Sequence, residues 1–136
     1  MNPKAIELQA RTQRFAAAVI IFCEALPDTH ATREIIPQLI DSAGSTASNY
    51  RSACRGRTPK EFIAKMGVAA EEADESKGWL ELLVSSNQVS QEQAAGLIQE
   101  ADELTAIFVK SQKTATKGLE ERSRLARGLS RRGRER

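Results

Sequence analysis

Apolar residues recur at helical spacing along most of the chain, and no stretch shows the two-residue alternation of a strand. Leu8, Phe15, Val19, Phe22 and Leu26 follow at steps of seven, four, three and four. Such steps place side chains on one face of a helix. Asn2 as N-cap with Pro3 in the first turn opens this helix, and Pro27 and Asp28 close it, giving about 3–26. A second stripe, Ile36, Leu39, Ile40, Ala43, Ala47, Tyr50 and Cys54, predicts a helix over about 31–55. Its start falls somewhere between Thr29 and Pro37, because proline suits a first turn and kinks a helix deeper in. The middle of that helix, Ser42 to Ser48, is almost wholly small residues. Such a segment, rich in Ser, Thr and Gly, has poor intrinsic helix propensity, and it makes sense where another helix approaches closely. Gly56 is the stop.

The third helix has the clearest start. Thr58-Pro59-Lys60-Glu61 combines a capping box with proline at the first helical position. Phe62, Met66, Ala69, Ala73, Ser76, Leu80 and Leu83 then alternate four and three, predicting 59–86 with Asn87 as a left-handed cap. Ser90 and Gln93 form a second capping box before Ala94, Leu97, Ala101, Leu104 and Phe108, the seam of a fourth helix over about 91–116. The connections are a few residues each, so successive helices run antiparallel. The fold class is all-α: an antiparallel up-and-down four-helix bundle over 1–116, with a basic tail over 117–136 that is a frayed helix or disorder.

At 136 residues the chain holds one core, and with 4% aromatics that core is built from Ala, Leu, Ile and Val. Cys23 and Cys54 sit in apolar helical patterns with no CxxC spacing, as buried reduced thiols do. No apolar run approaches the ~18 residues that span a bilayer. No signal-peptide core follows the first residues, and the expected location is cytoplasmic.

Residues for catalysis are missing. The one histidine, His30, falls in a predicted loop without ligand neighbours. Glu72 and Glu75 share a face but lack the histidines of a di-iron bundle, and read as solvated surface. No nucleophile elbow, zinc motif or phosphate loop occurs, so no enzyme, metal or cofactor is expected. Ser42, Ser45 and Asn49 share a face of the second helix. Buried there, they would need partners, either a ligand or a neighbouring helix with a residue such as Glu75.

Charge changes the picture most. An antiparallel bundle gathers Lys4, Arg11, Arg14, Arg51, Arg55, Arg57, Lys60, Lys65, Lys110 and Lys113 at one end, against Glu7 and Glu61. The other end carries Glu24, Asp28, Glu34, Asp41, Glu71, Glu72, Asp74, Glu75, Glu81, Glu92, Glu100, Asp102 and Glu103 against Arg33 and Lys77. The tail, with Arg131 and Arg132, leaves from the basic end. Three readings follow: charges that only solubilise, a basic face for RNA or DNA, or subunit docking between opposite ends. For nucleic acid the candidate contacts are Arg51, Arg55, Arg57, Lys60, Lys110, Lys113, Arg131 and Arg132. Tyr50 apart, no aromatic is placed there to stack on bases, which argues for binding to the phosphate backbone without sequence readout.

Three segments resemble a known family: Ser42-Ala43-Gly44-Ser45-Thr46-Ala47-Ser48-Asn49-Tyr50-Arg51, Thr58-Pro59-Lys60-Glu61-Phe62, and Glu71 to Leu83. The chain resembles the bacterial four helix bundle proteins, also called 23S rRNA intervening-sequence proteins, over about residues 5–115. The resemblance implies a ring-shaped homopentamer of four-helix bundles. The family name reflects where some members are encoded, within insertions in rRNA genes, and does not by itself establish binding to rRNA. Ser45, Asn49, Phe62 and Glu75 match family positions. The family often has Glu three residues after the Asn, where this chain has Ser52.

Overall fold

The computed structural model describes residues 2–135. Four helices follow one another: α1 (Pro3–Glu24), α2 (His30–Cys54), α3 (Pro59–Ser85) and α4 (Gln91–Arg134). Each packs against its neighbours around the cycle, α1 meets α4 least, and across the diagonal the backbones stay apart among the described residues. Contacts run antiparallel: Thr29 meets Gln88 and Ser42 meets Ser76, while Ile63 meets Gln112 and Lys77 meets Asp102. This is the up-and-down bundle the spacing predicts.

The caps explain where the helices begin. Asn2 accepts from the Lys4 amide at 2.8 Å, filling one of the orphan donors of the first turn. Ser90 and Gln93 form a reciprocal capping box at α4. In α2 the box is Thr29 with Thr32, so the helix starts at His30, which is helical rather than in a loop. Pro37 therefore lies well inside α2, on an exposed face where water can reach the carbonyl its missing N–H leaves unpaired. At α3, Thr58 accepts from the Glu61 amide, but the Glu61 carboxylate reaches past the cap to the Arg57 amide at 2.7 Å. Asn87 takes φ 61°, and the Gln88 and Asn87 amides donate to the Leu83 and Val84 carbonyls. That double closure ends α3 as a Schellman motif.

Three expectations change. Helix α1 stops at Glu24, before Pro27. The buried face of α2 is Thr32, Ile35, Leu39, Ser42, Ala43, Thr46, Tyr50 and Ala53, rotated by about one residue from the expected stripe. Ile36, Ile40 and Cys54 are only half-buried, so the Cys54 thiol is not a core group. The rotation turns the small residues of α2 toward Ala69, Ala70, Ala73 and Ser76 of α3, and the hydroxyls of Ser42 and Ser76 meet at 2.8 Å. Close approach of α2 and α3 outweighs burial of one more isoleucine. Cys23 is buried as expected, and burial, with help from Glu24, raises its thiol to about 11.

Helix α4 does not end near residue 116 but continues to Arg134. Phe108 is its last buried residue, and residues 120–135 are all exposed. At 1.5 Å per residue, the stretch from Lys113 to Arg134 extends roughly 33 Å past the core. Arg and Lys side chains with Ala and Leu keep it helical in isolation from other elements.

Candidate nucleic-acid interface

The end where α1 begins, α2 finishes and α3 begins is built by the caps at Asn2 and Thr58. Lys4, Arg51, Arg55, Arg57, Lys60, Lys65, Lys110 and Lys113 all lie on segments that meet there, and all but Arg55 and Arg57, in the turn between α2 and α3, are carried by a helix. Among the described residues none of these eight side chains is paired with a carboxylate. Cations elsewhere in the bundle are paired: Arg33 with Asp28, and Lys77 with Asp102 at 2.9 Å. Two expected members drop out of the basic end. Arg14 is held by Glu7, and Arg11 sits mid-bundle against α4. Its guanidinium takes Glu100 through Nε and Nη2 at 2.9 and 2.6 Å and Glu103 at 2.7 Å. Hydrogen bonding to Arg11 pulls the Glu100 carboxyl below its ordinary range. No sequence signal joins residues 89 positions apart, so this pair was counted at opposite ends.

The eight candidate contacts do not form one cluster. Arg51 and Arg55 line an open groove of about 420 Å³ between α1 and α2, floored by Ala16, Gly44, Ala47 and Ser48. Arg57 and Lys60 stand at the turn into α3, and Lys110 and Lys113 on α4. Arg131 and Arg132 lie roughly 28 Å along α4 from Gln112, the last residue bonded to the bundle. Tyr50 is not available for stacking on a base. It is buried with its ring 5.5 Å from that of Phe108, interplanar angle 22°, and burial with a hydrogen bond to Cys54 raises its hydroxyl well above the ordinary value. Beside it a second cavity of about 540 Å³ opens between Leu8, Tyr50, Cys54, Phe62 and Ile107.

The candidate interior polar groups separate too. Ser42 is buried and bonded to Ser76 and to the Leu39 carbonyl. Ser45 and Asn49 are only half-buried, and the Asn49 amide donates to the Ser45 carbonyl within its own helix at 2.8 Å. Glu75 is exposed and accepts from the Trp79 indole, away from Asn49. Glu72 is the more enclosed carboxylate. Burial first, then Glu75, Asp41 and Glu71, raise its pKa. Among the described residues no three His, Cys, Asp or Glu side chains are grouped to hold a metal, and no helix is long and apolar enough to cross a membrane.

The geometry is therefore a bundle with one uncompensated basic end and a cationic extension. No curated protein matches the chain. A protein of unknown function from the S23 ribosomal protein family of Bacteroides thetaiotaomicron has a similar solved structure, with a TM-score of 0.71 and 23% identity over 81% of this chain and 98% of that one. At that identity the likeness speaks to the fold. The sequence profile of the 23S rRNA-intervening sequence proteins matches residues 4–110, which takes in the bundle and stops short of the extension. With most of its length matched, this chain belongs to the 23S rRNA-intervening sequence protein family.

Proposed function

We propose that the protein is a non-enzymatic, self-associating helical scaffold, a homopentamer by its resemblance, whose basic end holds RNA or DNA by the phosphate backbone. The observation that carries this is the pairing contrast. Arg11, Arg33 and Lys77 are matched by carboxylates, while Arg51, Arg55, Arg57, Lys60, Lys110 and Lys113 are left free among the described residues. Unpaired, mutually repelling cations at one end favour a polyanion and release its counterions. With Tyr50 buried against Phe108, no aromatic platform reads bases.

Fluorescence anisotropy with labelled RNA and DNA across a salt series tests it. Affinity should fall steeply with salt, be alike for unrelated sequences, and drop at least tenfold in Arg51→Glu/Arg55→Glu/Arg57→Glu. Absence of salt-dependent binding at low ionic strength sinks the reading. A second reading, an adaptor whose charged ends dock protein, is favoured by one observation. Leu125 and Leu129 are largely exposed on the extension, an apolar surface that phosphates do not require.

A further inference from the structure

The extension of α4 is two-faced. Leu119, Arg122, Leu125 and Leu129 follow at helical steps of three, three and four, with Ala126 beside them, so they share one side. Arg124, Arg127, Arg131 and Arg134 follow at three, four and three on another. Leu125 is 69% exposed and Leu129 68%, and the described structure offers them no partner. An arginine stands in the middle of the apolar side. Two such arms laid together in parallel would bring Arg122 against its copy, and although Glu120 and Glu121 neighbour it, each arm keeps an excess of positive charge. Their natural complement is an apolar stripe interrupted by carboxylates.

The chain itself carries that complement on the outer side of α3. Val68, Glu71, Glu75 and Leu82 fall at steps of three, four and seven, with Val68 37% and Leu82 44% exposed. Gly78 lies between Glu75 and Leu82, with nothing within 4 Å of where its Cβ would stand, so a second helix can come close. Glu72 and Asp41 flank the stripe. Among the described residues no cation pairs with Asp41, Glu71, Glu72 or Glu75. Their crowding, together with burial, already raises the Glu72 carboxyl. The arm of the same molecule cannot reach this face. Helix α4 is continuous and antiparallel to α3, so beyond Gln112 it runs away from the α3 stripe.

We propose that the α4 arm of one copy docks on the outer face of α3 in a second copy, Arg122 against Glu71 and Glu75, with Leu119, Leu125 and Leu129 covering Val68 and Leu82. This rests on the second reading above, in which opposite charged surfaces dock protein. The contact is heterologous, joining two different surfaces, so it closes a ring or extends a filament instead of stopping at a dimer.

Sedimentation velocity on the full-length, nucleic-acid-free protein tests it with a charge swap. Arg122→Glu and Glu71→Arg/Glu75→Arg change exposed positions, and circular dichroism should show unchanged helix content. Each variant alone should associate at least tenfold more weakly than the parent. Mixed in equal amounts they should associate again in alternation, more tightly than either variant alone, since each then supplies the surface the other has lost, although a five-membered ring keeps one mismatched junction. Leu125→Ser/Leu129→Ser should weaken association at low and high salt alike. Salt-dependent association that ignores the Glu71→Arg/Glu75→Arg change overturns this contact while leaving protein docking intact. No salt-dependent association at all overturns both. Arm-dependent binding to labelled RNA or to phosphatidylserine vesicles, combined with a failed charge-swap rescue, assigns the arm to those surfaces and also overturns the contact.

Discussion

The hydroxyls of Ser42 and Ser76 face each other 2.8 Å apart, buried between α2 and α3. Each also has a carbonyl of its own helix within reach, Leu39 for Ser42 and Glu72 for Ser76. Single replacement by alanine therefore leaves the remaining hydroxyl a partner, and should cost only about 0.5–1 kcal/mol. Ser76→Leu, which adds volume at a fully buried point between the helices, should cost more, about 2–3 kcal/mol. Urea titration of the three variants distinguishes a packing role from a hydrogen-bonding one.

Arg11 is the polar tie between α1 and α4, the pair with the least contact in the bundle. Arg11→Ala strips Glu100 of its partner and should cost about 1–2 kcal/mol. Amide exchange in α1 should rise more than in α3.

The same tie sets an acid limb. The Glu100 carboxyl lies below its ordinary value of 4.5 in the folded protein, chiefly through its hydrogen bonds with Arg11. Its contribution is thus full above 4.5 and is lost as pH falls through the lowered folded value. Glu72 behaves oppositely. Its raised pKa means the ionised form weakens the fold at neutral pH, and protonation relieves the cost as pH falls. Glu100→Gln should flatten the acid limb of stability against pH, and Glu72→Gln should raise the neutral plateau. Thermal melts from pH 3 to 8 show both.

Pro37 interrupts the hydrogen bonding of α2 on a solvent face. Pro37→Ala restores a donor and removes a poor helix former, partly offset by a freer unfolded chain. A net gain of about 1–2 kcal/mol is expected, read as a higher Tm.

Asn87 holds the left-handed turn that closes α3. Asn87→Gly should be neutral or slightly stabilising, whereas Asn87→Val should cost about 1–2 kcal/mol, because a branched Cβ is strained at positive φ. Chemical denaturation of the pair isolates the backbone effect.

Much of this was legible in the chain. The seams of α3 and α4, the caps at Asn2, Thr58, Ser90 and Asn87, and the antiparallel order follow from local chemistry, since a cap, a turn and a 3.6-residue period each involve neighbours in sequence. The family followed from contiguous motifs such as Thr58 to Phe62, and the profile match over 4–110 bears it out. The charge polarity followed in outline, because topology sorts most charges to an end, but it put Arg11 and Glu100 at opposite ends when they pair.

Tertiary structure decided what depends on residues far apart. It turned α2 by one residue so that small side chains meet those of α3, which no single-helix pattern reveals. It moved Arg11 from the basic end to a carboxylate pair on α4, buried Tyr50 against Phe108, and separated Glu75 from Asn49. It also carried α4 on as one helix to Arg134. Hydrophobic periodicity reports which face of a helix is apolar. Which neighbour that face meets, and how closely, is fixed only when the helices pack.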